Sequence, residues 1–143
     1  MIMDQPASDR ADLARILEAH RRYLETERRE GARADLRGAD LSGMTLAAAD
    51  LRRARLAHAR LDGADCRGAN LQHANLAGAS LRGANLRDAD LSMARLGGAQ
   101  LATADLAGAR IEKAEMEFAL LEAANLAGAR MSGTDLSGAN LAG

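Results

Sequence analysis

Three histidines (His20, His58 and His73), one cysteine (Cys66) and the series Asp65, Asn85, Asp105 and Asn125 are the residues of this chain whose types could do chemistry. Histidine carries protons near neutral pH, and hydrolases pair it with a nucleophile and an orienting carboxylate. No Ser–His–Asp or Cys–His arrangement can be built from these spacings. Cys66 has no second cysteine for a disulfide or a CxxC metal pair. Carboxylates and amides recurring at twenty-residue steps would offer several oxygens to a hard cation if they stacked. The competing reading is that each bonds the backbone of its own turn, as Asx side chains do. A last cluster, Glu115, Glu117, Phe118, Leu120 and Glu122, sets two apolar side chains among acids, which suits a partner contact better than a reacting centre. The chain reads as a non-enzyme, with no cofactor and no metal expected.

The elements that position these residues are built from unusual material. Aromatics are 1% of the 143 residues, namely Tyr23 and Phe118, so the apolar content is mostly Ala and Leu. A core of that kind is thin and regular, with little room for a wide pocket. Net charge is −1, from 19 Lys plus Arg against 20 Asp plus Glu. That balance supplies no global field to draw in nucleic acid or an anionic membrane, and neither is expected as a partner. The start, "MIMDQPASDR", lacks a basic and apolar leader, and no apolar run approaches a membrane span. The expectation is a cytoplasmic protein.

Two hydrophobic periods divide the chain. Residues 1–8 read as a disordered N-terminus. Over 9–31, Leu13, Ile16, Leu17, Tyr23 and Leu24, with His20 on the same stripe, follow the helical period. Ser8 or Asp9 would cap the helix and Gly31 would follow its last turn, with Glu18–Arg22 and Glu25–Arg29 as supporting pairs. From 34 to 143 the period is five. Leu36 begins a series of twenty-two centres ending at Leu141, eighteen of them Leu, the others Cys66, Ile111, Met116 and Met131. Two residues before each centre stands Ala, except at Met44 and Thr134.

Five fits neither a helix nor a flat strand. If each repeat turned the chain by a quarter, every centre would face one axis, and four repeats would close a square coil. Coils would then stack at roughly the 4.8 Å strand spacing. The motif in "ADLRG", "ANLQH", "ANLAG" and "ADLSG" resembles the pentapeptide-repeat family over residues 34–143. The resemblance implies an all-β solenoid, a right-handed quadrilateral β-helix of about five and a half coils.

Each end of such a solenoid exposes unpaired strand groups. The stripe of Leu13, Ile16, Leu17 and Leu24 is expected to cap the first coil, a free helix that binds a partner being the competing reading. At the other end, Leu126, Met131, Leu136 and Leu141 are expected to form a two-fold homodimer contact, the commonest closed symmetry and one the family uses. The resemblance also brings in DNA mimics that bind gyrase and confer quinolone resistance. That function needs an acidic rod, whereas residues 31–143 carry 13 Arg plus Lys and 13 Asp plus Glu. A non-catalytic rod for protein–protein interaction is therefore the expected function, with the gyrase-binding mimic as the alternative. On the outer surface, Phe118 either folds over Gly98 and Gly138 or forms, with Leu120, an acidic-rimmed contact.

Overall fold

The computed structural model describes residues 10–143, so the segment 1–8 and the candidate caps Ser8 and Asp9 lie outside the described residues. Helix α1 spans Arg10–Glu25. It stops short of the expected 9–31 because the chain turns left-handed at Glu27 (φ 53°) and Arg28 (φ 75°). The Arg28 N–H then donates to the Tyr23 carbonyl at 2.7 Å, the six-to-one bond of a Schellman closure. Thr26 secures the stop, its hydroxyl donating to the Arg22 carbonyl at 2.6 Å and accepting from the Glu30 N–H at 2.9 Å. The early end also changes the ion pairs. Arg21 bridges Glu18 and Glu25, both at 2.6 Å, and Arg22 reaches Glu30 at 3.0 Å, in place of the expected Glu18–Arg22 and Glu25–Arg29 pairs.

Beyond α1 the chain winds as a solenoid whose repeat distance is twenty residues. Parallel single-residue bridges join each outward residue before a centre to its counterpart one coil on, from Asp35↔Arg55 to Leu120↔Asn140. A repeat makes the same bonds wherever it lies. The Leu56 N–H donates to the Asn75 carbonyl at 2.8 Å, the His58 N–H to Ala77 at 2.9 Å, and the Asn75 N–H returns to Ala54 at 3.0 Å. The corner is closed within the repeat, Ala59 N–H to Leu56 carbonyl at 3.0 Å.

That corner is a type II turn, since φ is positive at its third residue and not at its second. Twelve of these third positions are Gly, and ten carry side chains at φ between 57° and 62°. A left-handed non-glycine residue costs roughly 1–2 kcal/mol. The ten are held there because the ladder on both sides fixes the backbone.

The inward columns behave as the spacing predicts. Centres from Leu36 to Leu121 are at most 2% exposed, and the inward alanines from Ala54 to Ala119 at most 1%. Leu13 of α1 belongs to the same buried cluster, and Ile16, Leu17 and Met44 pack against it. Leu24 is half-buried beside Arg52 and Arg53, away from that cluster.

Leu86→Ala, in the middle of the rod, is expected to lower the unfolding free energy by about 2–5 kcal/mol, read as a fall in the urea midpoint. Lys113→Gly removes a strained left-handed side chain and is expected to leave the midpoint unchanged or raise stability by up to about 1 kcal/mol.

Candidate functional site

The residues singled out for chemistry are scattered by the coil geometry. His58 and His73 occupy left-handed turn positions on different faces (φ 60° and 59°), and His20 lies on α1. The His58 ring lies over Gly78, where an added Cβ would fall 2.6 Å from two of its atoms. Cys66 is a buried centre, 1% exposed, and burial, with a smaller push from Asp65, raises its thiol to about 12. At that value it is a small apolar filler, not a nucleophile.

The polar column serves the turns. Asp65, Asn85, Asp105 and Asn125 each accept the N–H two residues on, from Arg67, Arg87, Ala107 and Ala127, at 3.1–3.2 Å. Among the described residues no group of three or more His, Cys, Asp or Glu is placed to hold a metal ion. Asp35, Asp50 and Asp65 are clasped by Arg37, Arg52 and Arg67 at 2.6–2.8 Å, and those hydrogen bonds chiefly hold their carboxyls below the usual carboxylate range.

The backbone ladder, the five-residue period and the shared buried column are the marks of one family. A family model described as pentapeptide repeats matches in eight copies, over residues 32–65, 64–101, 84–117 and 104–143. The chain is a pentapeptide-repeat protein. Its fold is accordingly the right-handed quadrilateral β-helix.

Among solved structures, this pentapeptide-repeat protein is similar to Rfr23 of the cyanobacterium Cyanothece 51142. The two are 26% identical with a TM-score of 0.66, over 87% of this chain and 99% of Rfr23. It is also similar to a pentapeptide repeat protein of the Arabidopsis thaliana thylakoid lumen, at 38% identity and TM-score 0.54, over 67% of this chain and 63% of that one. QnrB1, a plasmid-mediated fluoroquinolone resistance protein, aligns at 27% identity with a TM-score of 0.34, over 73% of this chain and 59% of that one. No protein of curated function matches the chain. Among the described residues, no helix is long and apolar enough to cross a membrane.

On the surface of this pentapeptide-repeat rod, the face with the most Arg and Lys is interleaved with acids. Arg52 meets Asp50 at 2.7 Å, Arg110 meets Asp90 at 3.9 Å, and Arg130 meets Glu112 at 3.4 Å. The column that alternates in sign is also paired along the axis, Arg55 to Asp35 at 4.0 Å and Arg95 to Glu115 at 3.4 Å. Phe118 stands out at 69% exposed, with Leu120 at 37% across the same corner. Its ring leans one way only. A Cβ on Gly138 would meet it at 2.5 Å, whereas Gly98 has nothing within 4 Å. Glu115 is engaged by Arg95 at 3.4 Å, and Glu122 accepts from Asn140 at 2.7 Å, while the Glu117 carboxylate lies toward Gly97. Met93 is a further exposed apolar side chain, 47% exposed, which the sequence reading missed. A large apolar residue at a turn position usually held by Gly was the available signal.

The two ends differ. In the last coil the N–H groups of Leu126, Met131 and Leu136 have no partner among the described residues, though their counterparts Leu106, Ile111 and Met116 donate at 2.7–2.8 Å. Leu126, Met131 and Leu136 are half-buried there, and Leu141 is 49% exposed. At the first coil, an imidazole intervenes. The Ala34 N–H donates to His20 Nδ1 at 3.0 Å, so the ring proton sits on Nε2, which donates to the Arg52 carbonyl at 2.9 Å. One coil on, that carbonyl position (Gln72) accepts from a ladder N–H, and that N–H position (Ala54) donates to a turn carbonyl. His20 therefore stands in for one ladder N–H and one turn carbonyl, while the ladder N–H groups of Asp35, Asp40, Thr45 and Asp50 have no partner among the described residues. An open recess of about 490 Å³ beside α1 is lined by Leu13, Ala14, Gly43, Met44 and Thr45, none of them titratable.

Cys66 is expected to resist a thiol reagent such as Ellman's at about pH 8 in the native state, since its thiolate fraction is below about one in a thousand. Full reaction should follow on unfolding in guanidinium.

Proposed function

We propose that this protein is a non-catalytic rigid rod for protein–protein interaction, and a homodimer joined through its C-terminal coil. The rod comprises about five and a half coils over 34–143, with α1 as the cap of the first, and its place is the cytoplasm. The observation that carries the reading is the contrast between the ends. The first coil's leucines are closed off, at 0–2% exposed, while in the last coil Leu126, Met131 and Leu136 are half-buried and Leu141 is 49% exposed. A two-fold pairing of two such ends would satisfy the edges and bury the apolar tips together. Phe118 and Leu120, rimmed by Glu115, Glu117 and Glu122, then remain on the side of the rod as the contact for a different protein.

Static light scattering is expected to return twice the 15.0 kDa chain mass. Leu136→Arg, which buries a charge in that contact, should return a single chain mass with the repeats still folded. A wild-type monomer at tens of micromolar would sink the dimer. Phe118→Ala should change neither mass nor melting temperature, and a loss of the dimer would move the contact to that corner. The gyrase-binding alternative calls for an acidic rod, whereas the carboxylates here are largely paired with arginine. In a supercoiling assay, no inhibition or protection of gyrase is expected at micromolar protein.

A further inference from the structure

We propose that His20 is a pH-sensitive latch. Protonation of its ring releases α1 from the first coil and bares the apolar end of that coil, while the repeats stay folded. The inference rests on the reading of α1 as the cap.

The geometry leaves the ring no room for a second proton. His20 is 0% exposed, and both nitrogens are committed to backbone groups of fixed polarity. Nδ1 receives the Ala34 N–H, so a proton on Nδ1 would set two donors against each other at 3.0 Å and break that bond. No water reaches the ring to take over. The charged groups facing it from the rod are Asp50, Arg33 and Arg52. Asp50 favours the imidazolium but is itself clasped by Arg52 at 2.7 and 2.8 Å, and the two arginines oppose a positive ring. From its own helix Tyr23 stacks on the ring, with centroids 5.9 Å apart, and offers no charge. Burial is the leading cause that keeps the His20 pKa below its ordinary 6.5.

The sign follows. Above about pH 6.5 the ring is neutral whether α1 is docked or free, so docking is at full strength. Below it, the released helix binds a proton that the docked one excludes, and docking weakens by up to about tenfold per pH unit. Other contacts do not share this window. The carboxyls of Asp35, Asp50 and Asp65 are held low and stay ionised through it. The apolar contacts of Leu13, Ile16 and Leu17 do not titrate. Release can be local because each coil touches only its neighbours, and a helix of 16 residues is marginal on its own.

Hydrogen exchange by mass spectrometry on the full chain, at about pH 7.5 and about pH 5 and corrected for intrinsic rates, tests the latch. Peptides within Arg10–Glu25 should lose protection by about tenfold or more at the lower pH, and repeats beyond the first coil should not change. His20→Gln offers a neutral acceptor and donor at similar spacing, and should keep α1 protected at both pH values. His20→Ala should leave it unprotected at both. Equal protection of the wild-type helix at both pH values overturns the latch, as does an equal loss in His20→Gln or a loss spread along the rod. If α1 stays protected in His20→Ala, the latch fails while the cap stands. Where His20→Gln does not dock, the wild-type ring titration followed by NMR decides, because a midpoint apart from the loss of helix protection overturns the proposal.

Discussion

Backbone hydrogen bonds between residues twenty positions apart hold this molecule together, and the rest of its sequence is arranged so that they can form. Apart from the turn and Asx bonds inside each repeat, a coil satisfies its N–H and C=O groups through the coils on either side, so the repeats must keep one phase. An insertion of a single residue would turn every later centre away from the axis. The twenty-two centres run from Leu36 to Leu141 without one. Alanine at the corners lets neighbouring stretches approach the axis, and leucine fills what remains. The same constraint explains how ten turns keep left-handed residues that are not glycine, Phe118 and Lys113 among them. The ladder fixes the dihedral, and the side chain accepts it.

A stack of identical coils has no natural end. The repeat's own chemistry cannot supply one, so closure has to come from a departure from it. The two exceptions to the inward alanine are Met44 and Thr134. Met44, in the first coil, is half-buried and extends toward α1. Thr134, in the last, donates its hydroxyl to the Ile111 carbonyl at 2.6 Å, adding a second donor where its alanine counterparts leave only the turn N–H. At the N-terminal side the apolar centres of the first coil are buried, with Leu13 of α1 in the same cluster. A helix cannot continue a parallel ladder, since its N–H and C=O groups are spent internally, yet one imidazole with a donor and an acceptor on its two nitrogens replaces one ladder N–H and one turn carbonyl.

The rod was legible in the sequence because its period is arithmetic: five residues, an inward column, and a coil every fourth repeat. The Asx turns were legible for a similar reason, since Asp65, Asn85, Asp105 and Asn125 recur in phase. What did not show was what depends on side chains meeting across elements. His20 reads as one more residue on a helical stripe, and only the placement of α1 against Ala34 and Arg52 gives its two nitrogens partners. The early stop of α1 was hidden because Thr26, Glu27 and Arg28 carry no breaker, and the left-handed turn there is fixed by their hydrogen bonds to Arg22, Tyr23 and Glu30. Which way Phe118 leans was equally invisible, Gly98 and Gly138 being identical in type.

Where recognition can reside follows from what the repeat leaves free. Charges along the faces are matched within a coil or to the next one, as in Arg67–Asp65 and Arg95–Glu115, so the rod presents little net field to steer a partner. Exposed pairs of this kind add at most about 1 kcal/mol each and carry no directional signal. If the rod binds a partner as proposed, specificity comes from positions where the pattern breaks. Along the sides these are Phe118 with Leu120, and Met93 on another face. At the first coil it is the helix held over it. The uniformity of the repeat is what makes those few departures conspicuous to a partner, because everything around them is flat, small and electrically matched.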